Sequence, residues 1–334
     1  MSRTLLVTGG AGYVGSHTVV ALLERGHRVV VFDNLAQGHR AAVPSEATLV
    51  TGDLADRSAL ARLFQSHRFD AILHFASNTL VGESMRRPFL YVGDNVVNAL
   101  NLIEAAVEAG VRKFVLSSTC AIFGHPARIP IDEDMPKAPV NPYGESKLTI
   151  ERMLHWADQA HGLRYAALRY FNAAGAHPIV PIGEDHSPET HLIPIALEAA
   201  LGLRPHVEIF GTDYPTPDGT CVRDYVHVCD LADAHVRVLD VLDKGSRVYN
   251  VGIGRGYSVR EVLAAVRRAT GVTVPEKTGP RRPGDPPVLV AAPDRIRREL
   301  GWAPRYTEIE HIVATAWAWR RAHPRGYATA QAAE

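Results

Sequence analysis

Short runs of aliphatic and β-branched residues alternate, through the first half of the chain, with longer segments whose apolar positions recur every three or four residues. The short runs predict strands at residues 4–8, 28–32, 48–51, 71–75, 113–117 and 164–170. The longer segments predict helices at 13–25, 58–67, 95–109 and 143–161. Strand and helix in strict alternation imply a parallel sheet covered by helices on both faces, a doubly wound α/β fold whose ligands lie at the carboxyl ends of the strands.

Beyond about Asn172 the rhythm loosens. Stretches rich in Pro and Gly at 177–188, 214–219 and 275–287 read as loops, and helices resume at 194–201, 230–242, 259–270 and 309–322. Two units are therefore expected. Residues 1–172 form the doubly wound sheet and residues 173–334 a smaller, irregular α/β lobe that carries the substrate, with the chain free to cross between them.

Composition narrows the class. The 334 residues are 46% hydrophobic and 22% charged, as in an ordinary globular protein. With 36 basic and 36 acidic residues the formal charge is zero, so no global field draws the chain to nucleic acid or an anionic membrane, and any phosphate must be bound locally. Cys120, Cys221 and Cys229 make no disulfide framework, and no Cys-x-x-Cys or His-x-x-x-His spacing points to a metal, so none is expected. Sixteen scattered His residues read as surface or capping groups. The first strand begins at Thr4, with no space for a signal peptide, and no apolar run reaches the roughly 18 residues of a membrane span, so a cytoplasmic protein is expected. Residues 328–334 carry no amphipathic signal, and disorder is expected there.

The first strand runs into Thr8-Gly9-Gly10-Ala11-Gly12-Tyr13-Val14-Gly15 and then into a helix. Glycines in this position let the backbone approach a pyrophosphate, which meets the free N–H groups and positive dipole end of the helix. The spacing departs from G-x-G-x-x-G, and a plain tight turn is the competing reading. The second strand ends at Asp33, where a carboxylate can bond the hydroxyls of an adenosine ribose and repel a 2′-phosphate, favouring NAD over NADP; a turn cap is the alternative. Asp53, after the third strand, is placed to reach an adenine or to close an Asx turn. This is a Rossmann-like cofactor site.

The fifth strand leads into Ser117-Ser118-Thr119, and Tyr143-Gly-Glu-Ser-Lys147 opens a long helix further on, with Pro142 setting its start. Four residues apart on a helix, Tyr143 and Lys147 share a face. A phenol is a poor base at neutral pH, but a neighbouring ammonium and a positive nicotinamide ring both favour phenolate. Tyr143 could then take a hydroxyl proton while a hydride leaves carbon, with Thr119 positioning the same oxygen.

On these residues the chain resembles the UDP-glucose 4-epimerases of the extended short-chain dehydrogenase/reductase family. The likeness extends through Thr8 to His17, His74-Phe-Ala76 with Val81-Gly-Glu-Ser84, Ser117 to Gly124, Asn141 to Lys147, Arg169-Tyr-Phe-Asn172, Phe210-Gly-Thr-Asp-Tyr-Pro215, Val222-Arg-Asp-Tyr-Val-His227 and Arg282-Pro-Gly-Asp285. The resemblance implies Tyr143 as base, Lys147 on the nicotinamide ribose and Thr119 at the family's Ser/Thr position. It also implies NAD contacts from Gly9, Gly12, Tyr13, Val14, Gly15, Asp33, Asn34, Asp53, Leu54, Phe75, Ala76, Asn95, Ser117 and Tyr170. Asn172, His191, Leu192, Phe210, Arg223, Arg282 and Asp285 would hold a UDP-hexose, with Arg223 and Arg282 on the diphosphate, Asp285 on the uridine ribose and Phe210 beside the uracil. Without the likeness, Arg281 and Arg282 read as a solvated basic loop.

The implied reaction is oxidation at sugar C4, rotation of the ketosugar about its diphosphate, and hydride return to the other face, in a homodimer packed through helices that include the one bearing Tyr143. Three positions depart from the pattern: Thr79 where some members carry Lys, Phe123 where Tyr is common, and Leu289, of intermediate size, where access of N-acetylated sugars is set. Related dehydratases place an Asp-Glu pair after the Thr; Cys120-Ala121 here argue against elimination. Epimerases of UDP-xylose and UDP-arabinose share these motifs, and a non-catalytic dinucleotide sensor would need no Thr119, Tyr143 and Lys147 together.

Overall fold

Strand β1 (Thr4–Thr8) is apolar on both faces because both faces are covered. Leu5 and Val7 enter one core, and Leu6 enters the other. Around it lie β2 (Arg28–Asp33), β3 (Thr48–Thr51), β4 (Ala71–His74), β5 (Lys113–Thr119) and β6 (Arg164–Tyr170). A seventh strand, Arg247–Val251, comes from the second half of the chain and completes an all-parallel sheet. Its order is 247–251, β6, β5, β4, β1, β2, β3. The computed structural model describes residues 2–282 and 284–329.

One face is covered by α1 (Tyr13–Glu24), the Val228–Arg237 helix and Trp302, and the other by α2 (Arg57–Ser66) and the helices Asn98–Glu108 and Pro142–His161. The strand order reverses between β1 and β4, which opens a crevice at their carboxyl ends. The Pro142–His161 helix is built to start there. Pro142 occupies its first turn, the Asn141 side chain accepts from Gly144 N at 2.8 Å, and Gly162, at φ 68°, ends it.

Several boundaries differ from the sequence pattern. The helix expected from 95 opens instead with a π-helical turn, Val92–Val97, that leaves Asn95 wholly buried, before the regular Asn98–Glu108 segment. The helix expected over 230–242 stops at Arg237 and tightens into 3-10 turns; Val238, Leu239 and Leu242 stay buried, so their spacing hides the change. Within the loop expected at 275–287, Glu276–Gly279 pairs with Val207–Phe210; its residues are mostly exposed and polar, so no apolar pattern marked it. Short helices at Val81–Arg86, Pro88–Tyr91 and Asp294–Leu300 had no signal long enough to read. Val222–Arg223 lies between Tyr257–Ser258 and Val288–Leu289, while Asn172–Ala174 pairs with Tyr225–His227. Among the described residues no helix is long and apolar enough to cross a membrane. Of the tail expected to be disordered, Thr329 closes a 3-10 turn that begins at Gly326, and residues 330–334 lie outside the described residues.

Candidate active site

The glycine turn at the end of β1 has no spare volume. Gly9 has φ 72°, and a Cβ there would sit 2.4 Å from Ala76 N across the crevice; a Cβ on Gly15 would sit 2.1 Å from Gly9 O. Gly12 caps α1 with no side-chain hydrogen bond, and the first turn holds no acidic residue, so the turn presents its amide groups to an anion. Tyr13 turns away, its hydroxyl donating to Gly175 O at 2.6 Å. Phe75 N and Ala76 N both donate to Thr8 O, which fixes the far wall of the crevice.

Asp33 is buried, and its two oxygens accept from Ala11 N at 2.9 Å and Leu35 N at 2.8 Å. The carboxylate therefore ties the glycine turn to its own strand end, and Leu35 takes a left-handed backbone at φ 59° to reach it. Asp53 likewise closes an Asx turn through Ala55 N at 2.8 Å and accepts from Asn34 at 2.8 Å, with Leu54 buried beside it. Asn95 uses its whole amide on structure: Oδ1 accepts from Asn78 N at 2.8 Å, and Nδ2 donates to Asn78 O and Ser146 Oγ. It clamps the segment after β4 to the long helix.

Lys147 is 1% exposed, and its Nζ donates to Ser77 Oγ at 2.8 Å and Ser117 O at 3.0 Å. Among the described residues no carboxylate pairs with it, and burial pulls its pKa down to about 7. A cation held by neutral acceptors alone has capacity for a further hydroxyl partner. Burial pushes the Tyr143 phenol well above its ordinary range, with hydrogen bonding to Thr119 opposing. The shift runs opposite to the lowering expected from the sequence, and positive charge near the phenol is what would favour phenolate. Thr119 Oγ1 also accepts from Ala121 N at 3.1 Å, which sets its rotamer. Ser117 Oγ bonds the hydroxyl of Tyr170, whose pKa burial raises to about 12.

Behind these groups lies a support that sequence reasoning did not single out. Glu151, on the long helix, accepts from Ser118 Oγ at 2.6 Å and from both Nε and Nη2 of Arg169, at 3.0 and 2.6 Å. The pair is almost wholly buried and locks the helix to β5 and β6. Ser77 was also missed; a lone Ser in a loop carries no signal. Phe123, the departure from Tyr, is buried with Arg169 5.6 Å over its ring, a packing role.

The residues expected to hold a nucleotide are partnered with one another. Arg223 and Asp285, expected at separate parts of the nucleotide, form an ion pair, and Arg223 also donates to Val222 O at 2.9 Å. Burial would lower the Arg223 pKa, but Asp285 and its other neighbours hold it up. Arg282 stacks 4.0 Å over Phe210, while Arg281, part of the loop that reads as solvated, is tied to Asp213 at 2.8 Å. Leu289 pairs in register with Arg223. Asp224 is wholly buried and accepts from Ile253 N, Gly254 N and Ala291 N at 2.9–3.2 Å, with burial raising its pKa to about 6. Asn172 N donates to Asp224 O. Cys120, next to Thr119, is buried, and burial raises its thiol pKa to about 12 with the charge of Arg223 opposing. His191 caps the Leu192–Ala200 helix, with its imidazole on Glu184. Although spacing gave no metal site, Glu184, His186, Glu189 and His191 bring their donor atoms within 4.8 Å of one another.

Residues 5–252 match the NAD dependent epimerase/dehydratase family. A UDP-glucose 4-epimerase of Halalkalibacterium halodurans is 51% identical over 327 residues, 97% of this chain and 98% of that protein. A crystal structure of a UDP-glucose 4-epimerase superposes with a TM-score of 0.95 at 48% identity, covering 97% of this chain and 99% of the other. The UDP-glucose 4-epimerase of Brucella ovis, solved in complex with NAD, superposes with a TM-score of 0.92 at 44% identity, covering 95% and 98%.

Proposed function

The chain belongs to the NAD dependent epimerase/dehydratase family, and from that premise we propose that it interconverts UDP-glucose and UDP-galactose by oxidising the sugar at C4 and reducing it again from the other face. The observation that carries the reading is the buried Lys147, held by neutral acceptors beside Tyr143 and Thr119 at the strand ends that a glycine turn leaves open.

The residues present fit NAD. Gly9 and Gly15 let backbone pack directly on backbone so that the turn lies tight under the strand ends, the uncapped amides of α1 suit a pyrophosphate, and Asp33 and Asp53, with Asn34 and Leu54, line the adenosine end. The backbone of Tyr13 and Val14, with Phe75, Ala76, Ser117 and Tyr170, borders the remainder, and Asn95 acts through Asn78 and Ser146. NAD, when bound, supplies the acceptor and later the donor of hydride, so no net redox change results. Tyr143 takes the C4 hydroxyl proton and gives it back, Thr119 holds the same oxygen, and Lys147 holds a ribose hydroxyl and adds positive charge that favours phenolate.

Turning the ketosugar over requires a loose sugar pocket and a firm grip on the nucleotide. Asn172, His191, Leu192, Phe210, Arg223, Arg282 and Asp285 supply the grip. Arg223 exchanges Asp285 for the diphosphate, freeing the carboxylate for the uridine ribose, and Arg282 leaves Phe210 to the uracil. Residues 1–172 thus serve the cofactor and 173–334 the nucleotide sugar, with 247–251 crossing back into the sheet.

We also assign a cytoplasmic homodimer. Met85, Phe89, Val92, Val97 and Leu100 on successive helical segments, and Trp156 on the long helix, are exposed apolar residues, with Phe89 89% exposed, and support association through these helices. Sedimentation of a monomer at micromolar concentration would contradict it. For the activity, purified protein is incubated separately with UDP-glucose, UDP-xylose and UDP-GlcNAc and the products identified. UDP-galactose is the expected product. Turnover of only the pentose or the N-acetylated sugar would replace this reading with one of its relatives.

A further inference from the structure

We propose that the segment 184–191 binds one divalent transition ion of the zinc class, through Nδ1 of His186 and of His191 and through carboxylate oxygens of Glu184 and Glu189. Distances carry this first. Four ligands around a tetrahedral ion at about 2.0–2.1 Å lie about 3.3 Å from one another. His186 Nδ1 is 3.3 Å from Glu184 Oε1 and 3.6 Å from Glu189 Oε2, and all four donor atoms lie within 4.8 Å. His191 Nδ1 now bonds Glu184 Oε1 directly and must back away by about an ångström to share an ion with it. It has the room, since its side chain is 46% exposed.

Charge carries it next. The side chains of Glu184 and Glu189 are only 7% and 4% exposed, so two negative charges sit together largely out of water. Two imidazolium ions could balance them, and so could one dication with both imidazoles neutral; a single ion replaces two protons. Chelation of a dication returns several kcal/mol or more toward ordering four side chains in an irregular segment. The second oxygen of Glu189 is already committed, accepting from Thr190 N at 2.7 Å and His191 N at 2.9 Å, which aims Oε2 at His186. Two imidazoles in the donor set favour zinc, nickel or iron over magnesium or calcium.

The site adjoins the catalytic machinery. The His186 ring meets the Tyr13 ring edge-on at 6.2 Å, and His191 directly precedes the Leu192–Ala200 helix. A bound ion would fix the segment between the glycine turn and the nucleotide grip. That consequence rests on the proposed function, but ion binding itself does not.

The test is a calorimetric titration of chelator-treated protein, with its own nucleotide retained, using Zn(II) alone and no sugar substrate. One equivalent per chain with a dissociation constant at or below about 1 µM is expected, and His186→Asn and Glu189→Gln should each weaken it at least tenfold. Glu189→Gln keeps an acceptor for the Thr190 and His191 amides, so it carries the test if His186→Asn fails to fold. Cobalt(II) in place of zinc should give the visible absorption of a four-coordinate site in the wild type and lose it in the variants. Affinity equal in wild type and Glu189→Gln, or no saturable equivalent in the wild type, would overturn the proposal. Because no UDP-sugar is present, failure of the epimerase reading would leave this result unchanged.

Discussion

Replacing Lys147 with Met should separate stability from catalysis, and the size of the effect follows from burial. The ammonium is 1% exposed and held by Ser77 Oγ and Ser117 O, and burial lowers its pKa from 10.5 to about 7. That displacement is worth about 5 kcal/mol against carrying the charge in place. Between pH 7 and 10.5 the unfolded chain holds this proton and the folded one does not, so the lysine's contribution to stability rises with pH across that window. Below pH 7 the full penalty is present. Met has nearly the same length without the charge; it escapes the penalty and forfeits only the two hydrogen bonds of the neutral amine, each worth about 0.5–1.5 kcal/mol. At pH 6 the variant should therefore be at least as stable as the wild type, and at pH 10 less stable by about 1–3 kcal/mol. Turnover should fall by about 10²–10⁴, through loss of the ribose anchor and of charge favouring the Tyr143 phenolate. Thermal unfolding of both proteins from pH 6 to 10, at matched nucleotide content, with UDP-galactose formation assayed in parallel, reads both effects. A stability difference that does not move with pH, or turnover within fivefold of wild type, would refute the reasoning.

Tyr143→Phe should lower kcat by about 10²–10⁴ while leaving bound NAD in place, and equal turnover would remove the phenol from its role as base. Arg223→Glu sets two carboxylates against each other beside Asp285 and should raise KM for UDP-glucose at least tenfold with kcat less affected; an unchanged KM would take Arg223 out of the grip. Asp224→Asn turns an amide NH₂ toward one of three backbone N–H groups and should destabilise by about 1–3 kcal/mol, read as a lower Tm, whereas an unchanged Tm would mean that these hydrogen bonds contribute nothing net.

The sheet was legible because each of its first six strands is a short apolar run bounded by turn residues, and five of them occupy the interior of an all-parallel sheet. Arg247–Val251 was not read as the seventh strand, since it falls where the alternation had already broken down. Tyr143 and Lys147 could be paired from helical spacing alone. Their acceptors could not: Ser77 reaches Lys147 across 70 positions, and Glu151 joins Ser118 to Arg169 across 33 and 18. The Arg223–Asp285 pair spans 62 positions and depends on Val222–Arg223 lying beside Val288–Leu289, two-residue strands too short for any periodicity. Segment 184–191 escaped for another reason, because donors at uneven intervals in a loop match neither helical nor finger-like ligand spacing.

These two classes of contact differ in what a ligand must do to them. Lys147 is held by Ser77 Oγ and Ser117 O, and Glu151 and Arg169 are held by each other in the interior, so the chemistry is positioned before substrate arrives. Arg223 and Arg282, by contrast, are occupied by Asp285 and by the face of Phe210, and a diphosphate must outcompete both. That competition lowers the grip on UDP below what two unpartnered arginines would give, and it returns a carboxylate and an aromatic face for the nucleoside to use. An enzyme that must hold the nucleotide through rotation of the sugar, then release a product almost identical to its substrate, is better served by such exchangeable pairs than by a permanently open cationic pocket. Asp285→Asn would then strengthen binding of inorganic pyrophosphate, which uses the arginines but not Asp285, while weakening binding of uridine nucleotides, which use the carboxylate as well; parallel changes in the two affinities would show that the pair is not exchanged.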